Sequence, residues 1–195
     1  MHGSQQLFRA ALEHHLNPYV LGLDFSLTST GVYFLSLNPD EDHPDFHYHV
    51  PTTRKTGTDP QRIDHIVDTI LCDATIAQYP VIAACIEDYG PTGKTAGKVT
   101  VRAEINGCVK RGLREAGIPY YLVSPNGLKK FATGNGGADK NKARMFAAAS
   151  ALDFDTKISD EVDAFHAARL MAAIVRGERL DLNVVRVNPI GYEFA

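Results

Sequence analysis

The chain has 195 residues, 44% of them hydrophobic and 22% charged, and its formal net charge is −3. These values are typical of a soluble globular domain that is large enough to bury a core of its own. No apolar run approaches the roughly 20 residues of a membrane span, and the N-terminus is too polar for a secretory signal. We therefore expect no membrane segment.

The cysteines are odd in number and lie in apolar or helical contexts, without C-x-x-C spacing; they are Cys72, Cys85 and Cys108. This pattern favours buried free thiols in a reducing compartment over a disulfide framework. We therefore expect a cytoplasmic location.

The chain begins with a predicted helical extension, residues 1–18, which Pro18 ends. Two apolar runs, Tyr19–Leu23 and Val32–Leu37, then flank a polar turn and predict two antiparallel strands. Asp24 lies in the first of these strands. Because a buried carboxylate is unfavourable unless something compensates it, we expect a metal, a hydrogen-bond network or a ligand nearby.

An acidic, histidine-rich segment follows the second strand. It contains five possible metal ligands: Asp42, His43, Asp45, His47 and His49. Their spacing matches no standard zinc signature, so we favour an exposed loop that leads into a third strand, Phe46–Val50.

The middle of the chain predicts a helix followed by a buried strand. The helix begins at Pro60 and runs to about Tyr79, and the strand covers Val81–Ile86. The strand ends in Glu87, just before a Gly/Pro loop. Carboxylates at this end of a strand are placed as α/β active sites usually are.

The remaining elements are predicted as four helices and one strand. They are a helix at about 95–116, a strand at 118–123, a short helix capped by Ser124, a helix from Asp139 and a last helix, Ser159–Arg176. The whole pattern predicts one mixed α/β domain over 19–176. The tail, 177–195, is predicted to be irregular or to form an edge strand.

The positive charge of the chain is concentrated in one segment. Residues 94–144 contain eleven Lys and Arg against three Asp and Glu, a local charge of +8, which leaves about −11 for the rest of the chain. Such asymmetry favours a face that binds a polyanion, and the alternative is a solvated basic helix face.

Four carboxylates stand where these elements would bring them together: Asp24, Glu87, Asp160 and Asp163. The last two are three residues apart and so share one helix face. Four carboxylates at close range cannot all ionise without cations, and Mg²⁺ prefers such oxygen ligands. Two such ions support phosphodiester hydrolysis.

Each carboxylate also has a purely structural interpretation. Acidic residues in a first helical turn complement the helix dipole, which accounts for Asp160 and Glu161. Glu87 could be an ordinary carboxylate at a strand end. Asp24 and Asp163 fit a structural interpretation less well, because apolar residues surround both.

Four segments together resemble the RuvC-like Holliday junction resolvases of the RNase H-like superfamily, in particular the phage-encoded forms. The segments are LGLDFSLTSTG, CIEDYGPTGKTAGKVTVRAEINGCVK, VSPNGLKKFATGNGGADK and DEVDAFHAARL. They occur in this order and cover roughly residues 19–175. The resemblance implies an RNase H-like mixed five-stranded sheet flanked by helices, and an endonuclease of DNA recombination and repair that resolves four-way junctions with symmetric nicks.

The resemblance also implies roles for individual residues. Asp24, Glu87, Asp160 and Asp163 match the metal-binding carboxylates, which would hold two Mg²⁺ ions, with Mn²⁺ as a substitute. Lys140 matches a basic residue near the scissile phosphate. The expected DNA-binding residues are Tyr89, Lys94, Lys98, Lys129, Lys130 and Lys142.

A homodimer is implied as well, with the helix near 95–116 packed against its symmetry mate. Two-fold symmetry suits a four-way junction, in which two strands are nicked. A phage-encoded member would act in the host cytoplasm. Residues 1–17 and the loop 38–50 lie outside the family pattern, and the turn after Asp24 lacks its Pro-Gly form.

Three alternatives stay open from the sequence. The same carboxylates would serve an RNase H-like nuclease that acts on flaps, branched DNA or RNA–DNA hybrids. A junction-binding module without catalysis is the second. The third is a fragment of an actin-like ATPase, because LDFSLTSTG resembles a phosphate-binding hairpin, although the chain lacks a second lobe.

Overall fold

The structure, a computed structural model, describes residues 17–39, 42–75, 80–88, 96–136, 141–178, 180 and 188–190. The strands within these ranges are β1 (Tyr19–Asp24), β2 (Ser29–Ser36), β3 (Phe46–Pro51), β4 (Val81–Glu87), β5 (Tyr120–Val123) and β6 (Asn188–Ile190). They form one sheet in the order β3-β2-β1-β4-β5-β6.

The sheet is mixed in direction. Strands β1, β2 and β3 form an antiparallel meander, and β1, β4 and β5 run parallel to one another. This confirms the predicted α/β class with its five-stranded mixed sheet. The short strand β6 adds an antiparallel sixth strand beside β5, and it comes from the segment that the sequence predicts as irregular or edge-strand-like.

Five helices lie within the described ranges. They are α1 (Asp59–Thr75), α2 (Ala96–Glu115), α3 (Pro125–Thr133), α4 (Asn141–Ser150) and α5 (Ser159–Val175). Ser124 caps α3 as expected, since its side chain accepts a hydrogen bond from the backbone N–H of Gly127 at 3.1 Å. The predicted N-terminal helix, residues 4–16, and the predicted end of α1 at 76–79 lie outside the described residues.

The sheet separates two apolar cores because its side chains alternate between the two faces. On one face, Leu21 and Leu23 of β1 pack in a cluster with residues of α1 and α2. On the other face, Val20 and Tyr33 pack with residues of α3, α4 and α5. The candidate site lies at one end of this second core.

Helix α5 lies directly on β1 and β2 because two glycines leave room for its backbone. A Cβ on Gly22 would lie 2.0 Å from the carbonyl oxygen of Ala164, and a Cβ on Gly31 would lie 1.9 Å from that of Asp160. No side chain fits at such distances. The two glycines therefore fix where the first turns of α5 meet the sheet.

The prediction that all three thiols are buried is wrong in two cases. All three are free, but Cys72 and Cys108 are exposed and Cys85 alone is buried. Cys72 and Cys108 lie on outward-facing positions of α1 and α2, and helical context alone does not tell which face a residue occupies. Among the described residues, no helix has the length and apolar character that crossing a membrane requires.

Candidate active site

Asp24 is the last residue of β1 and lies beneath the first turn of α5. It pairs with Gly31 on β2 and is 5% exposed. Burial, reinforced by the nearby charges of Asp163 and Asp160, raises the pKa of Asp24 to about 8, while Arg102 acts in the opposite direction. The carboxyl group of Asp24 thus lacks enough positive charge around it to be stable as an anion.

Glu87 is the last residue of β4, the parallel neighbour of β1. The pairing of Leu23 with Ile86 brings the carboxyl ends of these strands side by side. Burial raises the pKa of Glu87 well above its usual range, and Asp24 and Asp163 raise it further. Two acidic groups, the buried Asp24 and the half-buried Glu87, therefore end adjacent strands at the same edge of the sheet.

Asp160 comes from the first turn of α5 and Asp163 from the start of the second turn, on the same helix face. Burial and the charge of Asp160 raise the pKa of Asp163 to about 6. Asp160 is half-buried and accepts a hydrogen bond from the hydroxyl of Ser159 at 3.2 Å. The close contact at Gly31 brings this turn over the end of β1, and the structure thus gathers the four predicted carboxylates at one edge.

Three cations border the carboxylates. Arg102 of α2 lowers the pKa of Asp24, Glu87 and Asp163, opposing the effect of burial. Lys129 of α3 acts in the same direction on Glu87 and Asp163, and Lys142 of α4 acts on Asp163. The three positive side chains therefore come from three different helices, and each acts on at least one of the carboxylates.

Arg102 is the residue at this site that sequence reasoning missed. It lies in the basic segment 94–144, but no motif distinguishes it from the other basic residues there. The available signal was its place along the chain: it lies six residues after Ala96, within the first two turns of the helix that follows β4 in the sequence.

The predicted catalytic Lys140 and several predicted DNA-binding residues fall where the structure gives no side chain. Tyr89, Lys94 and Lys140 lie outside the described residues, and Lys98 belongs to α2 but its side chain is not described. Lys130 lies on α3, half-buried, directly after Lys129. The roles of these residues stay predictions.

The donors present fit a hard divalent cation by their chemistry. All four are carboxylates, and burial and mutual repulsion oppose the ionisation of Asp24, Glu87 and Asp163, so a cation among them would supply the missing positive charge. In the described parts of the chain, however, no three His, Cys, Asp or Glu side chains already form a metal-binding cluster. A bound ion would have to draw the carboxylates together.

The histidine-rich segment leads into the predicted third strand, and part of it contacts α5. His47 and His49 lie on β3, the predicted third strand, and both approach Glu161 of α5. Glu161 is 5% exposed, so it is not a solvated residue that merely complements the helix dipole. Sequence reasoning missed this contact, since nothing local links residues 112 positions apart.

Comparison with solved structures identifies the fold. The RuvC structure of Thermus thermophilus matches 87% of this chain and 99% of its own, with a TM-score of 0.62 and 18% sequence identity. The T. thermophilus RuvC structure in complex with a Holliday junction substrate matches with the same coverage and identity and a TM-score of 0.60. No protein-family model and no curated protein matches the sequence. The chain therefore has the RuvC-like, RNase H-like fold.

Proposed function

We propose that this protein is a metal-dependent, structure-selective endonuclease that resolves four-way (Holliday) DNA junctions by paired symmetric nicks. The observation that carries the proposal is the meeting of Asp24, Glu87, Asp160 and Asp163 at one edge of a RuvC-like sheet. Acidic groups whose pKa values are strongly shifted by burial and by neighbouring charges cluster at functional sites. The fold match adds a related structure that holds a junction substrate.

The four carboxylates would hold two Mg²⁺ ions, for which Mn²⁺ would substitute. Such ions, when bound, supply the positive charge that phosphodiester hydrolysis needs at the phosphate and at the leaving oxygen. The carboxyl groups of Asp24 and Glu87 would lose their protons as the site fills, because a cation would offset the burial and the neighbouring negative charges that keep their pKa values high. Metal affinity should therefore increase with pH.

The basic side chains around the carboxylates would receive the DNA backbone. Arg102, Lys129 and Lys142 come from three helices and all act electrostatically on Asp163, so a phosphate at the carboxylates would have cations nearby. Lys140, the predicted catalytic lysine, precedes α4 in the chain and would offset negative charge in the transition state. Tyr89 would follow β4 and stack on a junction base.

The homodimer is part of the proposal and would form through α2. This helix packs on α1 where a Cβ on Gly112 would lie 2.0 Å from Leu71, whereas Gly107 and Cys108 are exposed. A pair of sites related by two-fold symmetry would nick two strands of one junction. Sedimentation of the protein with and without junction DNA tests the dimer and shows whether DNA is needed for it. The phage-encoded type, with a host-cytoplasmic location, stays a prediction.

The decisive experiment is cleavage of a labelled synthetic four-way junction with Mg²⁺ or Mn²⁺, beside flap, duplex and hybrid controls, for wild type and Asp24→Asn. Paired symmetric nicks that the variant abolishes, while binding persists, establish the resolvase. Cleavage of flap or hybrid alone would retain the metal chemistry and overturn the substrate. If nothing is cut, stabilisation by nucleotide against heat would support the ATPase alternative, and junction binding alone would support the module without catalysis.

A further inference from the structure

The N-terminus of α5, which carries Asp160 in its first turn and Asp163 directly after that turn, lacks an ordinary cap. Its N-cap residue is Ile158, whose side chain makes no capping hydrogen bond. Helices usually begin with a Ser, Thr, Asp or Asn side chain that binds a free backbone N–H, and losing such a cap costs about 1 kcal/mol. Something else must therefore hold this turn, on which half of the candidate metal ligands depend.

Glu161 connects this turn to the edge strand of the sheet. Its carboxylate accepts a hydrogen bond from the Thr156 hydroxyl at 2.5 Å and pairs with Nδ1 of His49 at 3.0 Å. Nε2 of His47 lies 3.7 Å from the same carboxylate. Thr156 also accepts the backbone N–H of Ile158 at 3.2 Å. These bonds tie the residues before the helix, its first turn and β3 to one another.

The Glu161–His49 contact lies beside the close contact between Gly31 and the backbone of α5. His49 pairs with Gly31 across β2 and β3, and Gly31 is the residue on which the backbone of Asp160 rests. The turn is thus held from below at Gly31 and from the side at His49. Glu161 is directed toward β3, while its neighbours Asp160 and Asp163 are directed toward Asp24.

We propose that Glu161 and His49 are positioning residues, which orient the first turn of α5 so that Asp160 and Asp163 can reach the ions shared with Asp24. Neither residue is one of the four carboxylates that would hold the ions, and the inference rests on the proposed metal-dependent function. Because the link is local to this turn, its loss should affect metal binding and turnover more than DNA binding.

The test compares Glu161→Ala and His49→Ala with the conservative Glu161→Gln in the full chain. We expect Glu161→Ala to lower kcat on a four-way junction at least tenfold and to change KM less than twofold. The Mn²⁺ concentration that gives half of the maximal rise in Tm, measured without DNA, should increase about tenfold. Glu161→Gln keeps an acceptor oxygen and should restore kcat and Mn²⁺ affinity to within about threefold of wild type.

Tyr33→Phe is the matched control. Tyr33 is also buried on the α5 side of the sheet, and its hydroxyl donates a hydrogen bond to Asp45 at 3.1 Å. The change removes this hydroxyl and keeps the ring, which stacks on His47 and packs on Phe165. This variant should lower Tm and leave kcat and the half-saturating Mn²⁺ concentration within twofold of wild type. If Glu161→Ala behaves like Tyr33→Phe, the role is only structural and the proposal is wrong.

The remaining outcomes also decide between the two proposals. If Glu161→Ala does not fold, His49→Ala takes its place with the same expected fall in kcat and in Mn²⁺ affinity, and unchanged values overturn the inference. If wild type is stabilised by Mn²⁺ but cuts no DNA, the nuclease proposal fails, and the Mn²⁺ titration of the variants alone decides on positioning. A wild-type protein that Mn²⁺ neither stabilises nor activates overturns both.

Discussion

Asp24 is the residue of the candidate site whose ionisation is most directly linked to the stability of the fold. Its carboxyl group is buried at a strand end beside two other acidic groups, and burial is the largest cause of its raised pKa of about 8. An unfolded aspartate has a pKa near 3.8, so between these two values the folded protein retains a proton that the unfolded chain has lost. Folding is therefore linked to proton binding at this residue.

The sign of the linkage gives a prediction about metal-free stability. The contribution of Asp24 is fully present below about pH 4 and is lost as pH rises toward 8, because ionisation then has to occur in the buried site. Asp24→Asn removes this loss. With EDTA present, we expect Tm of the variant minus Tm of wild type to increase from pH 5 to pH 8, by about 2–4 °C for each kcal/mol.

The pH dependence of stabilisation by Mn²⁺ tests the same ionisation of Asp24. The ion should raise Tm of wild type more at pH 8 than at pH 5, because it competes with protons for the carboxylates. It should have little effect on Asp24→Asn. A difference in Tm between the two proteins that does not change with pH would show that Asp24 ionises normally in the folded state.

Arg102 lets the electrostatics be tested without removing a ligand. Since Arg102 lowers the pKa values of three carboxyl groups, Arg102→Gln should raise them further. We expect the acidic limb of the cleavage rate to move to higher pH, with activity at pH 7 reduced about tenfold, or 1.4 kcal/mol. Arg111→Gln is the control, because Arg111 lies on the same helix and pairs with exposed Glu115. Equal effects of both changes would indicate a general loss of DNA binding.

At the scale of the element, the site depends on how closely α5 approaches the sheet. The contact at Gly31 lies directly under Asp160, and it exists because a residue without a side chain faces the helix there. A side chain at this position would push the first turn of the helix away from the strand end that carries Asp24. The glycine is thus a structural requirement of the metal site.

Gly31→Ala tests this requirement. Its Cβ would lie 1.9 Å from a backbone oxygen, so the helix must move, and we expect a loss of at least about 3 kcal/mol in unfolding free energy together with reduced cleavage. Gly107→Ala on α2 is the control: its Cβ would meet nothing within 4 Å, and the change should raise stability by about 0.5–1 kcal/mol. Urea unfolding of both variants measures the difference. A Gly31→Ala protein as stable and active as wild type would contradict the role of the close contact.

Individual strands and helices could be predicted from the sequence, but the contacts between them could not. Alternating apolar runs and a polar turn identify β1 and β2, and a charge in such a run singles out Asp24, because these signals lie within a few residues. The pairing of His49 with Glu161 joins positions 112 residues apart. Its existence depends on strand order and helix placement, neither of which leaves a local trace. Arg102 was missed for the same reason.

At the scale of the whole molecule, the separation of charge determines how DNA should approach. Residues 94–144 carry a local charge of +8 in a chain whose net charge is −3. Within the described part of that segment, Arg102, Lys129 and Lys142 all act on the carboxylate site. A polyanion would therefore be drawn to the edge of the sheet where the carboxylates lie, and repelled from much of the remaining surface.

The salt dependence of junction binding tests whether the cations near the carboxylates contact DNA phosphates. If each protomer of a dimer places three cations on phosphates, the slope of log K against log[salt] for junction binding should be about −5. Lys129→Gln should reduce the slope by about one for each protomer. Arg176→Gln should leave it unchanged, because Arg176 follows the last turn of α5, about 24 Å along the helix from Asp160. Binding measured with Ca²⁺ in place of Mg²⁺ keeps the DNA intact. Equal slopes for wild type and Lys129→Gln would show that DNA binds elsewhere, since a lysine at the phosphates must release counterions when it is occupied.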